Sequence, residues 1–201
     1  MLINIGLIII GYLFGSLPWG LIIGKVFYDK DIRDYGSGNL GGTNAARVLG
    51  FHVGVIVILL DALKALIAMI ICHYLKPGLE QYIGLAACFG HCFPIFAGFK
   101  GGKAVSSAYG YLLGLSLYVT HEFMYTFVLP IAVFFIVLLL SRMVSLSSMC
   151  GITSASVLIF LFVDKTVGLL VFILALFIIY RHSANIKRII NGTESKILNN
   201  K

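Results

Sequence analysis

The sequence predicts an all-α polytopic membrane protein. Seven transmembrane helices are expected, with the N-terminus outside, the C-terminus cytoplasmic and short amphipathic segments on the cytoplasmic face. Three observations carry this. Of 201 residues, 60% are hydrophobic and only 11% charged, against about 25% charged in soluble domains, and the mean hydropathy is +1.01. Long apolar runs recur along the whole chain. A run of about 18 or more reads as a spanning helix, because lipid offers no water to an open backbone. Finally, Lys and Arg gather between alternate runs. One integral-membrane domain over residues 1–201 follows.

Taken in order, the spans are Leu2–Gly24, Val53–Cys72, Tyr82–Ala97, Lys103–Val119, Phe123–Leu140, Val144–Val163 and Thr166–Tyr180. Met1 is expected to begin the first, since MLINIGLIII lacks the basic start and small-residue cleavage site of a signal peptide. The third and fourth spans are short and rich in Gly, Ser and Ala. Only the connection Lys25–His52 is long. One side of the membrane receives twelve of the fifteen Lys and Arg residues, from Lys25, Lys30, Arg33 and Arg47 to Lys187, Arg188, Lys196 and Lys201. Lys76 and Lys165 lie on the other side, and Lys64 falls inside the second span. The positive-inside rule makes the first side cytoplasmic. The net charge of +7 therefore reflects topology and anionic lipid, not nucleic acid. Cys72, Cys88, Cys92 and Cys150 contain no C-x-x-C pair and read as small buried hydrophobes, so neither a disulfide nor a metal is expected.

Three polar clusters face the cytoplasm. In the stretch GSGNLGGTNAAR, Gly36, Gly38, Gly41 and Gly42 permit positive φ and bring backbone N–H groups close to a ligand. Ser37, Asn39, Thr43 and Asn44 add short donors, and Arg47 a guanidinium fork suited to phosphate. The competing reading is a solvated turn with Thr43 or Asn44 as helix N-cap. Neither a Walker loop nor a dinucleotide fingerprint is present. In the second cluster, Lys100 and Lys103 bracket Gly101 and Gly102 at the start of a helix that continues through Ser107. A helix start favours phosphate. His91 precedes this loop, with Pro94 expected to bend the chain between them. In the third, His182 and Asn185 share a helical face, followed by Lys187, Arg188 and Glu194. Asp61 and Lys64, spaced i, i+3 inside the second span, either neutralise each other to hold the bundle or line a functional cavity. Together the clusters imply phosphate handling at a membrane surface, with an apolar groove among the helices for an acyl chain.

These residues resemble a known family. GSLPWG, DIRDYGSGNLGGTNAAR, LDALK, GHCFP, FKGGK and RHSANIKR, in this order over essentially the whole chain, are similar to the bacterial acyl-phosphate-dependent glycerol-3-phosphate acyltransferases (PlsY family). The resemblance implies transfer of a fatty acyl group from acyl phosphate to the 1-hydroxyl of glycerol 3-phosphate. The products would be lysophosphatidate and inorganic phosphate, in the first step of phospholipid synthesis at the bacterial cytoplasmic (inner) membrane. No cofactor, no nucleic acid and no obligate protein partner are implied; the partners are the two substrates and membrane lipid. By motif match, Ser37, Gly38, Asn39, Gly41, Gly42, Thr43 and Asn44 with Lys103 would hold acyl phosphate. Arg47, Lys100, His182 and Asn185 would hold glycerol 3-phosphate, with Gly101, Gly102 and Ser107 completing the second cradle. Either His91, His182 or a substrate phosphate oxygen would accept the hydroxyl proton, and Glu194 would orient a histidine or contact the glycerol hydroxyls. Ala65 and Ala104 stand where the family usually has glycine, and Ser106-Ser107 replace Ala-Thr. Ala104 is expected to hold a negative φ.

Two rivals belong to other classes. Acyltransferases built on H-x-x-x-x-D are excluded, since none of the five histidines has Asp five residues later. A transporter or channel for an organic phosphate suits the basic clusters, but only Asp61 and Lys64 would lie at pore depth. An odd number of spans also disfavours the duplicated halves common in transporters.

Overall fold

The structure, a computed structural model, describes residues 2–197. Met1 and Lys201, which entered the reading of the first span and of the charge asymmetry, lie outside the described residues. Ten α-helices and no strand occur among the described residues. They fall into two compact units, one ending at Val119 and the other beginning at Thr120.

The first unit holds α1 (Leu2–Gly15), α2 (Trp19–Tyr28), α3 (Gly42–Leu49), α4 (Phe51–Leu75), α5 (Glu80–Cys92) and α6 (Val105–Tyr118). The expected span Leu2–Gly24 is two helices bent by 42°. Pro18 causes the break: it has no N–H and pushes Leu17 out of the helical region. Gly15 sits so close to the backbone of Ala87 that any Cβ would collide, which lets α1 and α5 pack as membrane helices do through small residues. The α4 helix is longer than expected, since Gly50, at φ 103°, ends α3 and releases the chain straight into Phe51. Pro94 stops α5 early, as its missing N–H demands, and a 3-10 turn Ile95–Ala97 leads into the loop before α6.

The second unit holds a π-turn Met124–Val128, α7 (Leu129–Ser141), α8 (Val144–Phe162), α9 (Lys165–Arg181) and α10 (Ser183–Ile190). Asp164 caps α9, its carboxylate accepting from the Val167 N–H at 2.8 Å. Along α7 only Pro130 is buried, while Leu139 and Leu140 are 79% and 82% exposed. Water would penalise so continuous an apolar surface; lipid does not. By length and composition three helices can cross a membrane, or up to five if each bent pair counts as one span. At 13 and 14 residues, α5 and α6 fall short of the roughly 20 that a straight span needs.

Candidate active site

Two polar loops of the first unit share one apolar foundation. Ile32 and Leu40 from the first loop and Ala97 from the second belong to a single buried cluster with Leu21, Ala45, Val53 and Val57. Burial of this cluster fixes both loops to α2, α3 and α4.

The first loop is shaped by its own side chains. Asp31 caps the 3-10 turn Ile32–Asp34 and takes a two-pronged bond from Arg33, with Nε to Oδ1 at 2.9 Å and Nη2 to Oδ2 at 2.6 Å. Lys25 adds an ion pair at 3.2 Å. Chiefly through the Arg33 bond, the Asp31 carboxyl is held well below the usual carboxylate range. Gly36 and Gly38 take φ of 60° and 66°, the left-handed turn that a side chain resists. Asn44 is buried beneath this turn. Its Oδ1 accepts from the Ser37 N–H at 2.8 Å, and Nδ2 donates to the carbonyls of Ile32 at 2.9 Å and Tyr35 at 3.2 Å. Asn44 therefore commits both amide hydrogens to shaping the loop. Asn39 similarly accepts from the Gly41 N–H at 2.9 Å. The helix starts at Gly42 with Gly41 as N-cap, so neither Thr43 nor Asn44 is the cap. By contrast Ser37, Thr43 and Arg47 are exposed, and their side chains bond to no group among the described residues.

The second loop runs from His91 to α6. Lys100 is exposed and Lys103 half-buried. Gly101 and Gly102 serve close approach here, not positive φ. A Cβ on Gly101 would strike the carbonyls of His91 and Cys92, and one on Gly102 would strike His91 Nε2. The Gly102 N–H also donates to the His91 carbonyl at 3.0 Å. Ala104 overturns the expected negative φ: it stands at φ 60°, ψ 13°, as the N-cap of α6. A left-handed alanine costs about 1–2 kcal/mol, which explains why glycine suits this position. Ser107 is buried and turned into the bundle, its hydroxyl donating to the Asp61 carbonyl at 2.9 Å.

Beneath this loop lies a group of charges that the sequence did not link to it. Lys64 Nζ donates to Asp61 Oδ1 at 2.7 Å, to the Leu17 carbonyl at 2.9 Å and to His91 Nδ1 at 2.9 Å. All three side chains are buried. The i, i+3 spacing of Asp61 and Lys64 was visible; the placing of His91 on the adjoining α5 was not.

In the second unit, His182 sits at the junction of α9 and α10, its Nδ1 2.8 Å from the Ile178 carbonyl. A carbonyl can only accept, so that bond places a proton on Nδ1. Glu194 accepts from Ser145 Oγ at 2.7 Å and Asn185 Nδ2 at 2.6 Å through Oε1, and from Arg188 Nε at 2.7 Å through Oε2. Partial burial opposes ionisation of Glu194, but these three donors outweigh it and hold the carboxyl below its ordinary value.

The family model described as "Glycerol-3-phosphate acyltransferase" matches residues 5–192. The chain belongs to this family. A glycerol-3-phosphate acyltransferase of Listeria monocytogenes serotype 4a (strain HCC23) is 45% identical over 202 residues, covering 98% of each chain. Glycerol-3-phosphate acyltransferase 2 of Bacillus anthracis is 47% identical over 197 residues, covering 97% of this chain and 100% of that one. Among solved structures, the glycerol 3-phosphate form of PlsY (YgiH), an integral membrane glycerol 3-phosphate acyltransferase, superposes with a TM-score of 0.87 at 34% identity. The match covers 96% of this chain and 95% of that one. The lysophosphatidic acid form gives 0.84 at 33% identity. Within this glycerol-3-phosphate acyltransferase family member, the exposed hydroxyls and cations therefore belong to a chain whose relatives act on a phosphate ester.

Proposed function

We propose that this protein moves a fatty acyl group from acyl phosphate to the 1-hydroxyl of glycerol 3-phosphate, at the cytoplasmic face of the bacterial inner membrane. Family membership supports the acyl transfer. One observation supports the phosphate chemistry. Two loops and α3, on one apolar foundation, present Ser37, Thr43, Arg47 and Lys100 outward, while Asp31, Asn39 and Asn44 are occupied in shaping the first loop.

The hydroxyl oxygen of glycerol 3-phosphate attacks the acyl carbon, the bond from that carbon to the phosphate oxygen breaks, and inorganic phosphate leaves with the electron pair. The hydroxyl proton passes to a base, for which a phosphate oxygen of the substrates suffices. The mixed anhydride has a good leaving group, so orientation and charge compensation carry the reaction more than a covalent nucleophile. Ser37, Thr43 and Lys103 bind the acyl phosphate, while the N–H groups of Ser37, Gly38 and Gly41 are bonded within the loop; Arg47 and Lys100 bind glycerol 3-phosphate. An open groove of about 430 Å³ beside α2, lined by Leu17, Pro18, Leu21, Ile22, Val26 and Phe96 with Lys25, offers a surface for the acyl chain. His182 and Asn185 are assigned to substrate by motif alone. Seven spans with the N-terminus outside complete the proposal: α1 with α2, α4, α5, α6, α7 with its π-turn, α8 and α9.

Purified protein in detergent, supplied with each donor in turn, tests this reading. Acyl phosphate with glycerol 3-phosphate is expected to give lysophosphatidate, and acyl-CoA or acyl carrier protein to give none. Uptake of labelled glycerol 3-phosphate into proteoliposomes without product would establish the transporter instead.

A further inference from the structure

The ammonium of Lys64 has three hydrogens, and each has a partner: the Asp61 carboxylate, the Leu17 carbonyl at the Pro18 break, and Nδ1 of His91. The third bond decides the state of the imidazole. With Lys64 as the donating ammonium, Nδ1 accepts through its lone pair and the ring proton sits on Nε2. A proton on Nδ1 as well would set two donors against each other at 2.9 Å and place two cations beside one carboxylate in a buried site. His91 Nδ1 also lies 3.4 Å from Asp61 Oδ1, completing a buried group. The other edge of the same ring presses on Gly102, where a Cβ would strike Nε2, and the His91 carbonyl holds the Gly102 N–H at 3.0 Å. The Ser107 hydroxyl, bonded to the Asp61 carbonyl, ties the first turn of α6, which follows this loop, to the same turn of α4.

We propose that Asp61, Lys64 and His91 form a buried positioning relay that holds the Gly101–Gly102 segment in its substrate-binding shape. His91 then acts through packing and is not the general base. The relay joins the α1–α2 break, α4 and α5, so the binding loop takes its position from the membrane-embedded frame. The proposal rests on reading the Lys100–Lys103 segment as a phosphate-binding loop.

His91→Asn keeps an oxygen for Lys64 but removes the ring edge and all basicity. It is expected to raise the KM for glycerol 3-phosphate about tenfold or more, the effect of a displaced binding group. The kcat should stay within about threefold of the parent and its pH dependence unchanged, because no base has been lost. Asp61→Asn combined with Lys64→Met, a neutral pair that leaves no buried charge, should raise the same KM, and adding His91→Asn should raise it no further. A fall in kcat of about 10²-fold or more with an altered pH profile, or an unchanged KM in both variants, overturns the relay. Lys100→Ala is the control for the loop. An unchanged KM there refutes the loop reading and the relay with it. A raised KM in Lys100→Ala alone leaves the loop standing and refutes only the relay.

Discussion

Asn44 and Arg47 lie three positions apart on α3 and play different parts. Asn44 is 2% exposed and bonded three times to the backbone of the preceding loop. Asn44→Ala strands those groups, at a cost of about 1–3 kcal/mol for each one buried, so thermal unfolding in detergent should show a clear loss of stability together with activity. Arg47 is exposed and bonded to nothing among the described residues. Arg47→Ala should leave the unfolding midpoint unchanged and lower kcat/KM by about two orders, the loss of a charge-assisted phosphate contact; near-normal turnover removes Arg47 from the site. At Gly102 the prediction is steric. Gly102→Ala drives a methyl into His91 Nε2, and overpacking of this kind costs about 1–3 kcal/mol; an undiminished midpoint would show that the ring can yield. The sequence displays all of these glycines alike. Positive φ at Gly36 and Gly38 follows from their turn context, whereas the close approach at Gly101 and Gly102 depends on which residues of α5 lie behind them. The same ignorance of context made Ala104 look like an ordinary negative-φ residue.

Among the helices, composition locates the apolar runs well and the breaks poorly. The first run reads as continuous through Gly24, yet Pro18 divides it, and the Leu17 carbonyl at the break accepts from Lys64 as well as from the Trp19 N–H. The end of the last span is better marked: expected at Tyr180, it falls at Arg181, where α9 ends before the chain bends by 62° into α10. What ties α10 to α8 is Glu194, which takes donors from Ser145, Asn185 and Arg188. Its carboxyl lies below the ordinary value of 4.5, so the folded form binds this proton more weakly than the unfolded chain. The stability it adds is present in full above pH 4.5 and is lost as pH falls through the lowered folded value. Glu194→Gln should therefore lower the unfolding midpoint at pH 7, and the gap between variant and parent should close on acidification. A gap that stays constant with pH would assign its effect to shape alone.

For the chain as a whole, membrane residence and phosphate handling were legible from composition and from the crowding of glycine, hydroxyl and cationic residues into a few segments. The split between groups that face a ligand and groups that build the loop was not, because Asn39, Asn44 and Ser107 have the same chemistry as Ser37 and Thr43. Burial separates them. The proposed reaction turns on acyl phosphate as donor, with its phosphate as the leaving group. Stoichiometry under single-turnover conditions tests this most directly. With acyl phosphate and labelled glycerol 3-phosphate, one inorganic phosphate should be released for each lysophosphatidate formed, both on the same time course. Phosphate released without lysophosphatidate, or lysophosphatidate formed without phosphate, would contradict it.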